Sequence, residues 1–171
     1  EGAKSLPKAY GTDLGLFAKP FKNTLMNFAF WRLKMQQEFI YVGDEAVVEL
    51  SGETLRYGVD LSLRHQLLPW LFADFDANYA FARALGEPEG KDYIPLAPRW
   101  TTIGGLTITS QNGIHSSLRY RYVDERPANE DNSVRAKGYF LLDASIHYTR
   151  NNIQFSVSAT TLLDTEWNEA Q

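Results

Sequence analysis

The sequence predicts an all-β fold: about eight antiparallel strands in an up-and-down meander of the transmembrane-barrel kind. Three observations predict it. Apolar and polar residues alternate with period two through most of the 171 residues, which is the side-chain repeat of a strand with two unlike faces. The connections between alternating runs are short and long by turns, as in outer-membrane barrels. On the apolar parity, aromatic residues gather at run ends with aliphatic residues between them, the pattern of two interfacial girdles.

The runs follow in order. The first covers about 8–18, with Tyr10, Thr12, Leu14, Leu16 and Ala18 on one face. The second covers about 24–42; its apolar face reads Ala29, Trp31, Leu33, Met35, Phe39 and Tyr41, against Arg32, Lys34, Gln36 and Glu38. The third, about 53–66, alternates Leu55, Tyr57, Val59, Leu61 and Leu63 with Arg56, Gly58, Asp60, Ser62 and Arg64. The fourth, about 70–84, sets Leu71, Ala73, Phe75, Ala77, Tyr79 and Phe81 against Asp74, Asp76 and Asn78. The fifth, about 99–109, carries Trp100, Leu106 and Ile108 on one side. The sixth, about 113–124, sets Ile114, Leu118, Tyr120 and Tyr122 against His115, Ser117, Arg119 and Arg121. The seventh, about 138–149, sets Phe140, Leu142, Ala144, Ile146 and Tyr148 against Asp143, Ser145 and His147. The eighth, about 152–163, sets Ile153, Phe155, Val157, Ala159 and Leu163 against Gln154, Ser156 and Ser158. Four connections are short ("KPFKN", "QLLPW", "TSQNG", "TRNN"), whereas 43–52, 83–98 and 125–137 are long and polar.

Alternation alone does not say which face is dry. A soluble barrel turns its apolar face inward; a membrane barrel turns it outward to lipid. The runs reach ten residues or more, matching the ~9–11 tilted residues that cross a bilayer rather than the ~5–6 of a common soluble strand. Toward the long connections the apolar parity holds Tyr57, Tyr79, Phe81, Trp100, Tyr120, Tyr122 and Phe140, and toward the short turns Trp70, Tyr148 and Phe155. Girdle residues are therefore expected at Tyr57, Trp70, Phe81, Trp100, Tyr122 and Tyr148. The opposite parity keeps charge at mid-strand, and a wet lumen is expected to be lined by Arg56, Asp60, Arg64, Asp74, Asp76, Arg119, Arg121 and Asp143.

Composition removes other classes. There is no Cys, so disulfides and thiolate metal sites are excluded. Lys and Arg number 17 against 21 Asp and Glu, a net charge of −4 that argues against nucleic acid as a partner. No apolar run approaches the ~20 residues of a spanning helix, a test to which strand-built membrane proteins are invisible.

Several segments resemble TonB-dependent outer-membrane receptors. "GETLRYGVDLSLRHQLLPWLFADFDANYAFARA" resembles a hairpin near the C-terminal end of that family's barrel, and "DYIPLAPRWTTIGGLTI" the long loop and strand that follow it. "GYFLLDASIHYTRNNIQFSVSATTLLDTEWNEAQ" is similar to the penultimate hairpin and to a following segment in which "NLFDTEYNE" is common; Thr161 and Leu162 depart from that pattern. The resemblance covers the chain from about residue 8 onward, and the order of the segments is more specific than any one of them. It implies an arc of a 22-stranded barrel in the outer membrane of a Gram-negative bacterium. It also implies import of bulky nutrients such as metal chelates, siderophore complexes among them. Residues 1–171 are then expected to be a partial barrel domain, lacking the plug domain and the final strand. The implied partners are outer-membrane lipid and, through regions outside the chain, a plug and the TonB system. No cofactor is implied, and the transported ligand is not named.

Chemistry-bearing residues are few. His115 and His147 share the lumen parity on neighbouring strands and are weak metal candidates, because a metal site needs three or four ligands. Ser116 falls on the lipid parity and Ser117 lacks a base with an orienting partner, so no enzyme is expected. "DERPANEDNSVRAK" and "RALGEPEGKDYIPLAP" read as mobile surface loops. Two other readings stand beside the receptor segment: a self-contained eight-stranded outer-membrane barrel with a structural or adhesive role, and a soluble barrel binding a small apolar ligand.

Overall fold

The structure, a computed structural model, describes residues 7–42 and 47–167. Among these residues twelve strands run β1 (Ala9–Ala18), β2 (Thr24–Met35), β3 (Glu38–Val42), β4 (Val47–Ser51), β5 (Thr54–Leu68), β6 (Leu71–Ala84), β7 (Trp100–Thr109), β8 (Ile114–Val123), β9 (Arg126–Pro127), β10 (Arg135–Ala136), β11 (Tyr139–Arg150) and β12 (Ile153–Ala159). Eight of them form one antiparallel sheet in the order β1-β2-β5-β6-β7-β8-β11-β12, while β3-β4 and β9-β10 are separate two-stranded hairpins. β1 and β12 lie at opposite edges and do not pair, so the sheet is an unclosed arc of a larger barrel. No helix among the described residues is long and apolar enough to cross a membrane.

The short turns have the chemistry their geometry demands. Asn23, Gly113 and Asn151 take positive φ (61°, 82° and 54°), which Gly and Asn tolerate best. Thr24 N donates to Phe21 O, and Gly113 N to Ser110 O, closing two of these turns.

Three expectations need correction. The run expected over 24–42 is not one strand: β2 ends at Met35 and β3 begins at Glu38, pairing with β4 outside the main sheet. Much of the expected 43–52 loop is therefore the return strand of that hairpin. The parity read for this run is also reversed within β2. Phe28 pairs with Leu61 and Phe30 with Val59, whereas Ala29 faces Asp60, Trp31 faces Gly58 and Leu33 faces Arg56. Met26, Phe28 and Phe30 thus share the apolar face, together with Arg32 and Lys34 farther along. Both parities of residues 24–31 are rich in apolar residues, so the alternation there is ambiguous; β5, whose alternation is clean, fixes the register. Tyr41 lies among residues whose side chains are outside the description. Finally, the two long loops are packed and cross-linked by backbone hydrogen bonds rather than lying free on the surface. Ile94, Ala128 and Ala136 are buried, and with Tyr139 and Leu141 they complete the buried apolar set among the described residues.

That small core sits at the long-connection end of the sheet. Among the described residues none forms a layer packed on the broad faces of the arc. Leu14 is 76 % exposed and Val157 68 %, and Phe28, Phe30, Leu106, Leu118 and Ile146 are exposed as well. Each square ångström of such surface left in water forgoes roughly 25 cal/mol. A sheet built this way is stable only if something other than water covers its apolar side.

Candidate functional site

Cross-strand register sorts every main-sheet residue onto one of two faces. On the polar face one row runs Arg64, Asp74, Gly105, Arg119, Asp143 across β5, β6, β7, β8 and β11. The next runs Ser62, Asp76, Ile103, Arg121, Leu141, and the next Asp60, Asn78, Thr101, Val123, Tyr139. Arg56 lies on the same parity two rows higher, opposite Ala82, with Gly58 and Ala80 between.

These groups hold one another. Arg64 donates from both terminal nitrogens to the Asp76 carboxylate, at 3.0 and 2.8 Å, and Ser62 Oγ donates to the same group at 2.6 Å. Arg64 therefore pairs diagonally instead of with Asp74 directly opposite. Asp74 accepts instead from Arg119, which reaches it across Gly105. A side chain at position 105 would stand between them: its Cβ would lie 3.1 Å from Arg119 Cδ and overlap the Leu118 carbonyl oxygen. Asn78 donates to Asp60. The Asp143 carboxylate accepts from the Thr161 backbone N–H at 2.9 Å, fixing the chain just past β12. Arg56 donates to Glu38, which also accepts from the fully buried Thr54 hydroxyl at 2.9 Å. The face thus carries cross-strand ion pairs, and beside Asp76 lies an open hollow of about 320 Å³ whose lining mixes Asn27, Asp60 and Asn78 with Ala29, Ala77 and Ile103.

The opposite face is apolar, with rings along its long-loop margin. Tyr57 and Phe81 have ring centroids 5.0 Å apart, Tyr79 and Trp100 4.8 Å, and Tyr120 and Phe140 5.6 Å. Tyr122 stands one place farther along β8, and its hydroxyl donates to Asp124 at 3.1 Å. At the short-turn margin Tyr148 pairs with Ile114 and Phe155, and Trp70 occupies the β5–β6 turn, exposed. Two glycines receive rings. The Trp31 indole lies over Gly58 on the polar face, and Tyr120 lies over Gly104 on the apolar face; a Cβ there would come within 2.8 and 3.0 Å of the rings. Sequence reasoning missed Glu38, Trp31 and the glycine contacts. A Gly interrupting clean alternation was a usable signal; nothing local marked Glu38.

His115 and His147 are direct cross-strand partners. His147 Nδ1 is 2.8 Å from Ser156 Oγ, and Ser117 and Ser145 hydroxyls are 2.8 Å apart. Among the described residues no three or more His, Asp or Glu side chains are grouped to hold a metal ion. No carboxylate among the described residues hydrogen-bonds to the His147 ring, so the His147–Ser156 pair lacks the orienting third member of a nucleophile-activating set.

The two long loops form one unit beyond the polar and apolar faces. Leu96 N donates to Pro127 O at 2.7 Å and Tyr93 N to Glu130 O at 3.1 Å, so the 85–99 loop is stitched to the β9–β10 hairpin. Asn129 closes that hairpin, accepting from Val134 N and donating to Ser133 Oγ.

The profile of the TonB-dependent receptor-like β-barrel family matches residues 7–161. No curated protein matches in sequence. Among solved structures, the ferric yersiniabactin uptake receptor FyuA of Yersinia pestis is 18 % identical, with a TM-score of 0.77 over 96 % of this chain and 26 % of that one. The ferric-catecholate import receptor Fiu of E. coli K12 is 18 % identical, with a TM-score of 0.73 over 95 % of this chain and 24 % of that one. The copper transporter OprC is 16 % identical, with a TM-score of 0.75 over 95 % of this chain and 26 % of that one. The chain spans about a quarter of the length of these structures.

Proposed function

This chain belongs to the TonB-dependent receptor β-barrel family of the Gram-negative outer membrane, and from that premise we propose that it forms an arc of the wall of an active-uptake receptor. The observation that carries the reading is the division of one eight-stranded sheet into an exposed apolar face and an ion-paired polar face. In this reading the apolar face meets acyl chains and the rings at its margins lie at the two interfaces. Arg56, Asp60, Arg64, Asp74, Asp76, Arg119, Arg121 and Asp143 border the aqueous lumen. Buried in lipid, those charges would cost several kcal/mol each; beside water, and paired, they cost little. The unpaired edges β1 and β12 are completed by further strands of the same barrel, since lipid does not tolerate open backbone groups.

The cargo in this reading is a bulky nutrient such as a metal chelate. A plug domain and the TonB system act through regions outside this chain, and the protein does no covalent chemistry. Support comes from the family and from the functions of the similar structures. Two measurements test it. A spin label at Leu61 is expected to collide with a lipid-soluble quencher, and one at Asp60 with a water-soluble one; the reverse result refutes the assignment of faces. Cells lacking the gene are expected to lose energy-dependent accumulation of at least one radiolabelled metal chelate. Unchanged uptake across a chelate panel refutes the cargo class.

A further inference from the structure

Strands β8 and β11 bring two histidines together on the polar face, at the short-turn end of the sheet. The chain has three histidines. His65 stands on the apolar parity, where its Nδ1 is 2.8 Å from Thr24 Oγ1. His115 and His147 are directly opposite each other, in the row Thr109, His115, His147, Ser156. Directly opposed side chains on antiparallel strands have Cβ atoms about 4.5–5.5 Å apart. The next row shows that such positions touch in this strand pair, because the Ser117 and Ser145 hydroxyls are 2.8 Å apart. Imidazoles, being longer, span the same gap. His147 is half-buried and its ring is held, with Nδ1 2.8 Å from Ser156 Oγ. When Nδ1 carries the proton and the serine oxygen accepts it, the lone pair of the ring lies on Nε2. A hydrogen bond at one ring nitrogen is what orients a metal-ligating histidine and makes the other nitrogen more basic. His115 is exposed, so solutes reach the pair.

We propose that His115 and His147 form a two-imidazole site for a divalent late transition metal, Cu(II) binding most tightly, with Ser156 positioning the His147 ring. Two protein nitrogens fill two coordination positions and leave the others to water, or to a chelator that the metal already carries. The pair therefore does not need the third and fourth protein ligands of a closed zinc site. The donor set selects the metal. Neutral imidazoles suit copper, nickel and zinc, with copper highest in the stability order. Calcium and magnesium take oxygen ligands, carboxylates above all. The neighbouring positions on this face are Thr107, Thr109, Ser117, Ser145, Ser156 and Ser158, with no carboxylate among them. The site stands on the strand register. Only its place at the short-turn mouth of the lumen borrows the assignment of faces, which the labels at Leu61 and Asp60 test separately.

The test uses the full-length protein that carries this chain, purified in detergent and stripped of metal with a chelator. Cu(II), Ni(II), Zn(II) and Ca(II) chlorides are titrated in. Calorimetry counts the ions bound, and electron paramagnetic resonance reports the nitrogens on the copper. The variants are H115Q, H147Q, H115Q/H147Q and S156A, with H65Q as the control; heat-modifiable gel mobility checks the folding of each. The wild type is expected to bind one more copper ion than H115Q/H147Q, with two nitrogens in its spectrum. Nickel and zinc should bind there more weakly, and calcium not at all. Either single histidine variant should lose the same ion, S156A should bind it about tenfold more weakly, and H65Q should match the wild type. Equal copper binding in the wild type and H115Q/H147Q overturns the proposal. So does a one-nitrogen spectrum that survives in H147Q, which would mark an adventitious ion only, on His115. The wild-type spectrum decides by itself should a variant not fold, since a spectrum without two nitrogens also overturns the site. If copper does not bind while the Leu61 label meets the lipid-soluble quencher, the metal site fails and the face assignment stands. If copper binds with the labels reversed, the site stands and its place in the lumen fails.

Discussion

Gly58 and Gly105 carry no side chain, yet they decide what the polar face looks like. Gly58 lets the Trp31 indole approach the strand closely, and Gly105 lets Arg119 reach Asp74 two strands away. Gly58→Val or Gly105→Val drives a branched side chain into backbone carbonyls, and we expect a loss of about 3 kcal/mol or more. Gly15 is the control: a Cβ there meets nothing closer than 3.8 Å, so Gly15→Ala should stay within about 0.5 kcal/mol. Urea unfolding of the full-length protein in lipid, followed by gel mobility, measures both. The ion pairs are weaker determinants. Asp74 is less exposed than Arg119 (side chains 17 % and 39 %), and Asp74→Asn should cost about 1 kcal/mol once solvent screening is allowed for. A cost above about 3 kcal/mol would mean that the row is far drier than a water-lined lumen permits.

The second strand is where local pattern and pairing disagree. Leu25, Ala29, Trp31 and Leu33 on one parity compete with Met26, Phe28 and Phe30 on the other, and hydropathy does not choose between them. Pairing with β5 chooses, because a one-residue slip would oppose Asp60 and Ser62 to Phe28 and Phe30. Charge insertion reports the choice. Phe28→Arg should destabilise by about 2–4 kcal/mol near the bilayer midplane, and Ala29→Arg by about 0–1 kcal/mol. Equal costs, or the reverse order, would restore the parity read from the sequence alone. The long loops behave as one element for a related reason. Ile94 is 3 % exposed, between the Tyr93 and Leu96 hydrogen bonds to the 127–130 segment, so Ile94→Asp buries an unpaired carboxylate. Limited proteolysis should then cut within 85–99 and 124–138 together, at a protease level that leaves the wild type intact. Cutting in one loop only would mean that the stitches at Leu96 and Tyr93 do not couple them.

Taken as a whole, the arc has an apolar face without a covering layer and two unpaired edge strands. Residues 1–171 alone, in buffer without detergent, should aggregate, as expected for long exposed edges; a monodisperse folded species under those conditions would contradict the lipid-facing assignment. Period-two alternation, strand length, the unequal connections and the ring margins were all legible in the chain, because each is a property of consecutive residues. They determined an all-β meander with one greasy and one charged parity, and the positions of seven of the main-sheet strands to within a few residues. The parity of β2, the break before β3, the diagonal Arg64–Asp76 pair, the Asp74–Arg119 reach across Gly105 and the knitting of the two long loops depend on which residue stands opposite which. That is set by cross-strand hydrogen bonding between segments far apart in sequence, so only the tertiary structure decided them.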